Sequence, residues 1–153
     1  MLHIETTHNG YRISTDKSQL QTDVIYQYLS EESYWAKDIP RSIVEKSIAN
    51  SLCFGIYHEK EQIGFARVIS DLATFAYLAD VFVLPPHRGK GLSKWLMEVI
   101  LAHPDLLTLR RFMLATQDAH GLYKQFGFDA LPHPDRVMGK AMNGSYTDMK
   151  KSL

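Results

Sequence analysis

The stretch "DVFVLPPHRGKGLSKWLMEVI", Asp80 to Ile100, joins an apolar strand to an amphipathic helix through a short basic loop. In any helix the first N–H groups lack an intrahelical partner, and the helix dipole adds partial positive charge at the same end. The two glycines of the loop allow close backbone approach, and Arg88, Lys90 and Lys94 add charge. This junction suits a bound phosphate group, although a solvated turn that needs glycines for its geometry would have the same composition.

Length and charge limit the functions open to the chain. It has 153 residues, 17 of them basic and 17 acidic. This length predicts a single domain over residues 1–153, with a polar tail at 141–153 that we expect to be frayed. The zero net charge argues against nucleic acid as a partner.

The single cysteine and the apolar runs bear on the cellular compartment. Cys53 cannot form an internal disulfide, and the N-terminus lacks the apolar core of a signal peptide. No apolar run approaches membrane-spanning length, and the histidines lack metal-ligand spacing. We therefore expect a cytoplasmic protein with no membrane partner and no metal.

Hydrophobic periodicity predicts six strands and four helices. The expected strands are 11–14, 52–58, 62–71, 75–84, 110–116 and 136–140. The expected helices are 17–29, one starting near Pro40, one after Gly91, and one over 118–127 that Asp118 caps and Gly127 ends. The order β-α-α-β-β-β-α-β-α-β predicts an α+β fold with a central mixed, mostly antiparallel sheet flanked by helices.

Two motifs resemble the signatures of one enzyme superfamily. "RGKGLS" is similar to the Arg/Gln-x-x-Gly-x-Gly/Ala pyrophosphate loop of GNAT-type N-acetyltransferases, with Arg88 first, Gly91 fourth and Ser93 at the usual Gly/Ala position. "AHGLYKQFGF" resembles the second signature, in which a helix carries a Tyr shortly before a Gly-Phe pair. The motifs span Leu78 to Phe128, and the predicted element order is similar to the family fold along most of the chain.

The resemblance implies acetyl-CoA as co-substrate. Backbone N–H groups from Arg88 to Lys94 would bind the pyrophosphate, and strand backbone would pair with the pantetheine arm and polarise the thioester carbonyl. Asp118 stands where the family often has Asn, and because an ionised carboxylate cannot donate a hydrogen bond, its contact with the cofactor stays open. The implied cofactor-binding residues are Val81, Phe82, Val83, Arg88, Gly89, Lys90, Gly91, Leu92, Ser93, Lys94, Asp118, Tyr123 and Phe126.

Two residues are candidates for proton transfer. Tyr123 aligns with the general-acid Tyr of the family, and a phenol with a pKa near ~10 is protonated at neutral pH; the alternative is a tyrosine that only packs on its helix. Asp80 lies in an apolar strand at a position where some members hold an acidic base. The alternative for Asp80 is a strand-end carboxylate satisfied by backbone or solvent.

The segment between the first two helices is where this fold shapes its acceptor site. Tyr28, Tyr34, Trp35 and Glu31 are the expected substrate contacts, although Trp35 could equally pack in the core. The chain is therefore interpreted as an N-acetyltransferase that acetylates a primary amine of a small molecule or peptide, by direct attack in a ternary complex. A non-catalytic acyl-CoA-binding or sensor domain is the alternative, and a homodimer is one assembly that the sequence leaves open.

Overall fold

The structure, a computed structural model, describes residues 3–151, in which six strands form one sheet in the order β1-β2-β3-β4-β5-β6. All neighbouring strands are antiparallel except β5 and β6, which are parallel. The predicted α+β class with a mixed, mostly antiparallel sheet is confirmed. The strands are β1 Glu5–His8, β2 Tyr11–Ser14, β3 Leu52–His58, β4 Glu61–Ser70, β5 Phe75–Val83 and β6 Arg111–Leu114.

Helices cover both faces of the sheet. Because side chains alternate along a strand, Phe54 and Cys53 of β3 belong to different apolar clusters. Phe54 packs in the cluster that contains the buried residues of α3, and Cys53 in the cluster that contains those of α1 and α2. The helices are α1 Thr22–Gln27, α2 Arg41–Ala49, α3 Leu92–Leu101, α4 His120–Lys124 and α5 Tyr146–Lys151.

Strand β1 is absent from the prediction, because its sequence ETTH carries no apolar alternation. The signal lies in the turn that follows it. Asn9 and Gly10 have φ values of 50° and 81°, as in the two-residue turns that join antiparallel strands. An Asn-Gly pair before a strand would have predicted this hairpin.

The predicted continuous helix over 17–29 is wrong. The segment forms a 3-10 turn at Lys17–Gln19, then α1, then a π-helical turn at Tyr28–Glu32. The break falls at Gln21, whose N–H donates to the side chain of Gln62 on β4 at 2.7 Å. The side-chain amide of Gln21 also donates to the carbonyl of Lys60 at 2.7 Å. These contacts with the β3–β4 hairpin, which is distant in sequence, interrupt the helix that the apolar pattern predicts.

The predicted strand over 136–140 is also wrong. A 3-10 turn occupies Pro134–Arg136, and the residues that follow lie outside the sheet. Met138 is 94% exposed, so the alternation of this segment has no apolar surface on which to bury one face. Within the polar tail, residues Tyr146–Lys151 form α5, where the Thr147 hydroxyl donates to the Asp38 carboxylate at 2.7 Å.

The geometry of β5 opens the sheet. Its register against β4 shifts between Phe65 and Arg67, which is the pattern of a β-bulge. Asp80 lies at this bulge with a φ of 56°, a left-handed conformation that is uncommon outside glycine. Strand β6 pairs with β5 only as far as Leu78, so beyond that residue the two chain segments border a cleft.

Candidate functional site

The cleft is a cavity of about 610 Å³ between β5, the end of β6, the loop before α2, and α4. It brings together six of the side chains predicted from the sequence. These are Tyr34, Trp35, Asp80, Val81, Asp118 and Tyr123. The sequence did not indicate Arg67, Tyr77 or Tyr146, which also line it.

The glycine loop lies at the start of α3 and borders a second cavity of about 210 Å³. Gly89 and Gly91 have φ values of 77° and 74°, and a Cβ at either would meet nothing within 4 Å. Gly91 is the N-cap residue of α3 and supplies no side-chain cap. The first N–H groups of α3 are therefore left without a capping side chain, which fits a pyrophosphate group.

The basic side chains of this loop contact the protein itself. The Arg88 Nε donates to the Val83 carbonyl at 2.8 Å, and its terminal nitrogen donates to the Tyr28 hydroxyl at 3.0 Å. Lys90 Nζ lies 3.4 Å from the Tyr11 hydroxyl. In this conformation Arg88 ties the loop to the end of β5.

Tyr123 lies on α4 and is 8% exposed. Burial raises the pKa of Tyr123 to about 12, with smaller contributions from Tyr34 and Asp118. The end of the helix fixes this residue, because the Phe128 N–H donates to the Tyr123 carbonyl at 3.2 Å and the Gly127 N–H to the Lys124 carbonyl at 3.1 Å. These two bonds form a Schellman motif, with Gly127 in the left-handed conformation.

Asp80 is held by two side chains. Its carboxylate accepts from Arg67 Nε at 2.8 Å and from Trp35 Nε1 at 2.9 Å. The pair is largely buried, with side-chain exposures of 16% for Arg67 and 8% for Asp80. The alternative of a carboxylate satisfied by backbone or solvent is therefore replaced by an ion pair across β4 and β5.

The loop before α2, which carries Tyr34 and Trp35, places both aromatic side chains at the cleft. The Gln117 N–H donates to the Tyr34 hydroxyl at 3.0 Å, which joins this loop to the loop before α4. Trp35 is 40% exposed, so it does not pack in the core. Tyr28 and Glu31 do not belong to the cleft lining: Tyr28 stacks on Phe82 at 4.1 Å between ring centroids, and Glu31 is exposed.

The second motif differs from the prediction at the cap of its helix. The predicted cap at Asp118 is wrong, because α4 begins at His120 and has Ala119 as its N-cap. The Ala119 N–H donates to Thr116 Oγ1 at 3.0 Å, which leaves Asp118 exposed on the cleft. Phe126 packs against the larger apolar cluster and borders a separate cavity under residues 127–133.

Within residues 3–151, no helix is both long enough and apolar enough to cross a membrane. In the same part of the chain, no three His, Cys, Asp or Glu side chains are grouped so that they could hold a metal ion.

Comparison with known proteins assigns the family. The model of the Acetyltransferase (GNAT) family matches residues 22–128, so the chain belongs to this family. A protein of Gibberella zeae named as an acetyltransferase is 34% identical over 137 residues, covering 76% of this chain and 77% of its own length. An N-acetyltransferase named ycf52 from Gracilaria tenuistipitata var. liui is 34% identical over 106 residues, covering 67% and 56%.

Solved structures share the fold. A crystal structure from Xanthomonas campestris pv. campestris, named as an acetyltransferase of the GNAT family, superposes with a TM-score of 0.88 at 52% identity, covering 93% of this chain and 99% of that one. A Clostridium acetobutylicum protein crystallised with acetyl-CoA has a TM-score of 0.63 at 14% identity, covering 86% and 94%. The protein is therefore a GNAT acetyltransferase, an enzyme of the acyltransferase class.

Proposed function

We propose that the protein transfers an acetyl group from acetyl-CoA to a primary amine of a small molecule or peptide, by direct attack with both substrates bound. The observation that carries this proposal is the cleft at the β5 bulge. The glycine loop follows the same strand, and the lining of the cleft contains a buried, protonated Tyr123.

The glycine loop is the proposed site for the pyrophosphate of acetyl-CoA. Its φ values and the open space at Gly89 and Gly91 let the backbone approach a ligand closely. The N-terminus of α3 and the side chain of Lys94 contribute positive charge there. Arg88 acts indirectly, because it holds the loop against the Val83 carbonyl and Tyr28.

Strand β5 is the proposed site for the pantetheine arm. Beyond Leu78 it has no partner in β6, so backbone groups of residues 81–83 on that edge can pair with an extended amide chain. A backbone N–H on this edge would also polarise the acetyl carbonyl. The group that acetyl-CoA supplies when bound is the activated acetyl thioester.

Tyr123 is the proposed proton donor to the departing thiolate. Its raised pKa keeps the phenol protonated throughout the physiological range. A proton donor at this position assists the step in which the C–S bond breaks.

Asp80 remains the proposed base for the amine, acting through water. Its two bonds, to Arg67 and Trp35, fix one position for the carboxylate while leaving lone pairs on both oxygens. The carboxylate of Asp80 would also attract a cationic amine toward the cleft. Tyr34 and Trp35 are the proposed acceptor contacts, and Tyr28 would support them through its ring contact with Trp35.

The location and assembly of the protein are part of the same proposal. A cytoplasmic enzyme is proposed on the sequence arguments given above, and cell fractionation with a tagged chain would check it. A homodimer is proposed because Met138 and Met142 are 94% and 74% exposed. Light scattering that gave a monomer mass at all concentrations would contradict the homodimer.

Calorimetric titration of acetyl-CoA into the wild type and Gly91→Glu tests the proposal. The new carboxylate would stand where the pyrophosphate is proposed to bind, so we expect saturable binding by the wild type that the variant loses. Gly10→Glu is the matched control, since Gly10 has a φ of 81° and equally open surroundings but lies in the β1–β2 turn.

An assay for free thiol with a panel of amines completes the test. Release of CoA that depends on the amine supports transfer. Binding without release for any amine would indicate the sensor domain instead, and absence of acetyl-CoA binding by the wild type would remove the functional proposal.

A further inference from the structure

We propose that the acceptor amine carries an apolar body and that Tyr146 of the C-terminal helix determines this specificity by contacting that body. The inference rests on the acetyltransferase function proposed above and names the substrate class of the same site. Neither the sequence motifs nor the residues matched by the family model include α5.

Helix α5 is held at one residue against the loop of residues 33–40 before α2, which we call the acceptor loop. Asp38 accepts from the Thr147 hydroxyl at 2.7 Å, and Lys150 Nζ lies 3.8 Å from its other oxygen. Asp38 has a φ of 64°, and its N–H donates to the Ser30 carbonyl at 2.9 Å. These contacts on both sides of Asp38 join α5 to the loop that carries Tyr34 and Trp35.

Through this contact Tyr146 becomes part of the cleft. Its side chain is half-buried, packs against the apolar cluster of α1 and α2, and lines the same cavity as Ile39 and Ile43. The tyrosine therefore forms part of the wall of the proposed acceptor region, together with residues of the loop and α2.

The charged residues of the cleft differ in whether they form ion pairs. Arg67 is paired with Asp80, whereas Asp118 forms no ion pair within residues 3–151. Asp118 neighbours Tyr123 in the lining, so negative charge is available to an ammonium group near the proposed proton donor.

The part of the lining next to α5 is mostly apolar or aromatic. It consists of Ile39, Ile43 and Tyr146, with Ser47 as a small polar neighbour. The Ser47 hydroxyl already donates to the Val44 carbonyl at 2.8 Å. A polar substrate would lose its hydrating water there without gaining a hydrogen bond from the Ser47 hydroxyl. An apolar substrate would be stabilised by burying its surface.

The experiment compares two amines that share the ammonium group, 2-phenylethylamine and ethanolamine. For each amine, binding to the protein loaded with CoA is measured by calorimetry, and kcat and KM are measured by thiol release. We expect the wild type to bind 2-phenylethylamine at least tenfold more tightly than ethanolamine, because apolar pockets discriminate by about 10- to 200-fold for small apolar groups.

Tyr146→Ala tests the role of the helix. We expect the preference for 2-phenylethylamine to fall by about tenfold. The fall should appear in KM and in the dissociation constant, while kcat and acetyl-CoA binding stay within about twofold. Lys151→Ala, on the same helix and exposed, is the matched control and should keep the preference.

Thr147→Val covers the case in which Tyr146→Ala perturbs folding. It removes the hydroxyl that bonds to Asp38 at nearly constant side-chain volume, and we expect it to lower the preference in the same direction. Equal weakening of both amines by Tyr146→Ala and Thr147→Val, or no effect of either, would overturn the role of Tyr146.

The substrate class has a separate outcome. A wild type that binds 2-phenylethylamine no better than ethanolamine overturns the apolar acceptor, even if other amines react. Failure of the proposed function is distinct from both outcomes, since it would appear as absent acetyl-CoA binding or absent thiol release with every amine.

Discussion

Among single side chains, Tyr123 combines burial with access to the cleft. Only 8% of the residue is exposed, yet it lines the cavity that Asp80 and Trp35 share. The Schellman motif at Gly127 fixes the backbone that carries it. Its place is therefore set by the local sequence of α4 as well as by packing.

Tyr123→Phe removes the hydroxyl while keeping the ring. We expect kcat to fall by about 10²-fold or more, the usual contribution of a positioned acid, with acetyl-CoA affinity changed by less than about threefold. Steady-state kinetics and calorimetry measure the two quantities. Tyr26→Phe, on α1 and outside the cleft lining, is the control, and an unchanged kcat in Tyr123→Phe would remove this residue from the mechanism.

Among the strands, β5 carries the β-bulge on which the geometry of the cleft depends. The bulge at Asp80 turns the strand where β6 ends, and Arg67 of β4 pairs with the carboxylate there. An ion pair this far buried contributes little net stability, because desolvation offsets the attraction. Removing only one partner is costly, since the other charge is left buried.

Arg67→Met should therefore destabilise the protein by about 3 kcal/mol or more. The double variant Arg67→Met with Asp80→Asn should recover part of that loss, because no uncompensated charge remains. Urea unfolding of the three proteins provides the measurement. A single variant as stable as the wild type would contradict the cost assigned here to the unpaired Asp80 carboxylate.

The local sequence predicted much of the sheet. Strands β3, β4 and β5 were predicted within one residue at each end, because buried strands carry dense apolar alternation. The glycine loop was also predictable, since its residues are contiguous in the sequence. The Gln21–Gln62 contact was not, because it joins residues 41 apart in sequence.

The residues of the candidate site also divide into those that local sequence predicts and those that long-range contacts place. Tyr123 and the loop at Gly91 follow from short motifs, whereas Arg67 and Tyr146 reach the cleft only through long-range packing. The charge of Arg67 inside an otherwise apolar strand was the one available signal for this residue. For Tyr146, the sequence offered a polar tail with no period that would place it.

Across the molecule, α5 packs against the loop that carries Tyr34 and Trp35, so β5, α4 and α5 border one cleft. Tyr57 is a second buried tyrosine, with 2% of its surface exposed. Burial raises the pKa of Tyr57 to about 12, as it does for Tyr123. Within residues 3–151, the buried Tyr57 hydroxyl has no hydrogen-bond partner.

These raised pKa values predict a loss of stability in alkali. A group whose folded-state pKa lies above its unfolded value stabilises the fold below the unfolded pKa, near ~10, and loses that contribution as the pH rises through the folded value. The free energy of unfolding should therefore fall between about pH 10 and pH 12. Urea unfolding at several pH values measures it.

Tyr57→Phe separates the two tyrosines. It removes one ionising group and a buried hydroxyl without a partner, so we expect unchanged or slightly higher stability at neutral pH and a shallower loss in alkali. An alkaline loss as steep as that of the wild type would show that Tyr57 does not contribute.

The hydrogen bond from Gln117 to the Tyr34 hydroxyl joins the acceptor loop to the loop before α4. If binding of one substrate breaks this bond, which is worth about 1 kcal/mol, the affinity for the other substrate changes as well. Thermodynamic linkage then requires reciprocity: the factor by which acetyl-CoA changes the affinity for the amine equals the factor by which the amine changes the affinity for acetyl-CoA. Tyr34→Phe should bring this shared factor closer to one, and an unchanged factor would show that this bond does not couple the two substrates.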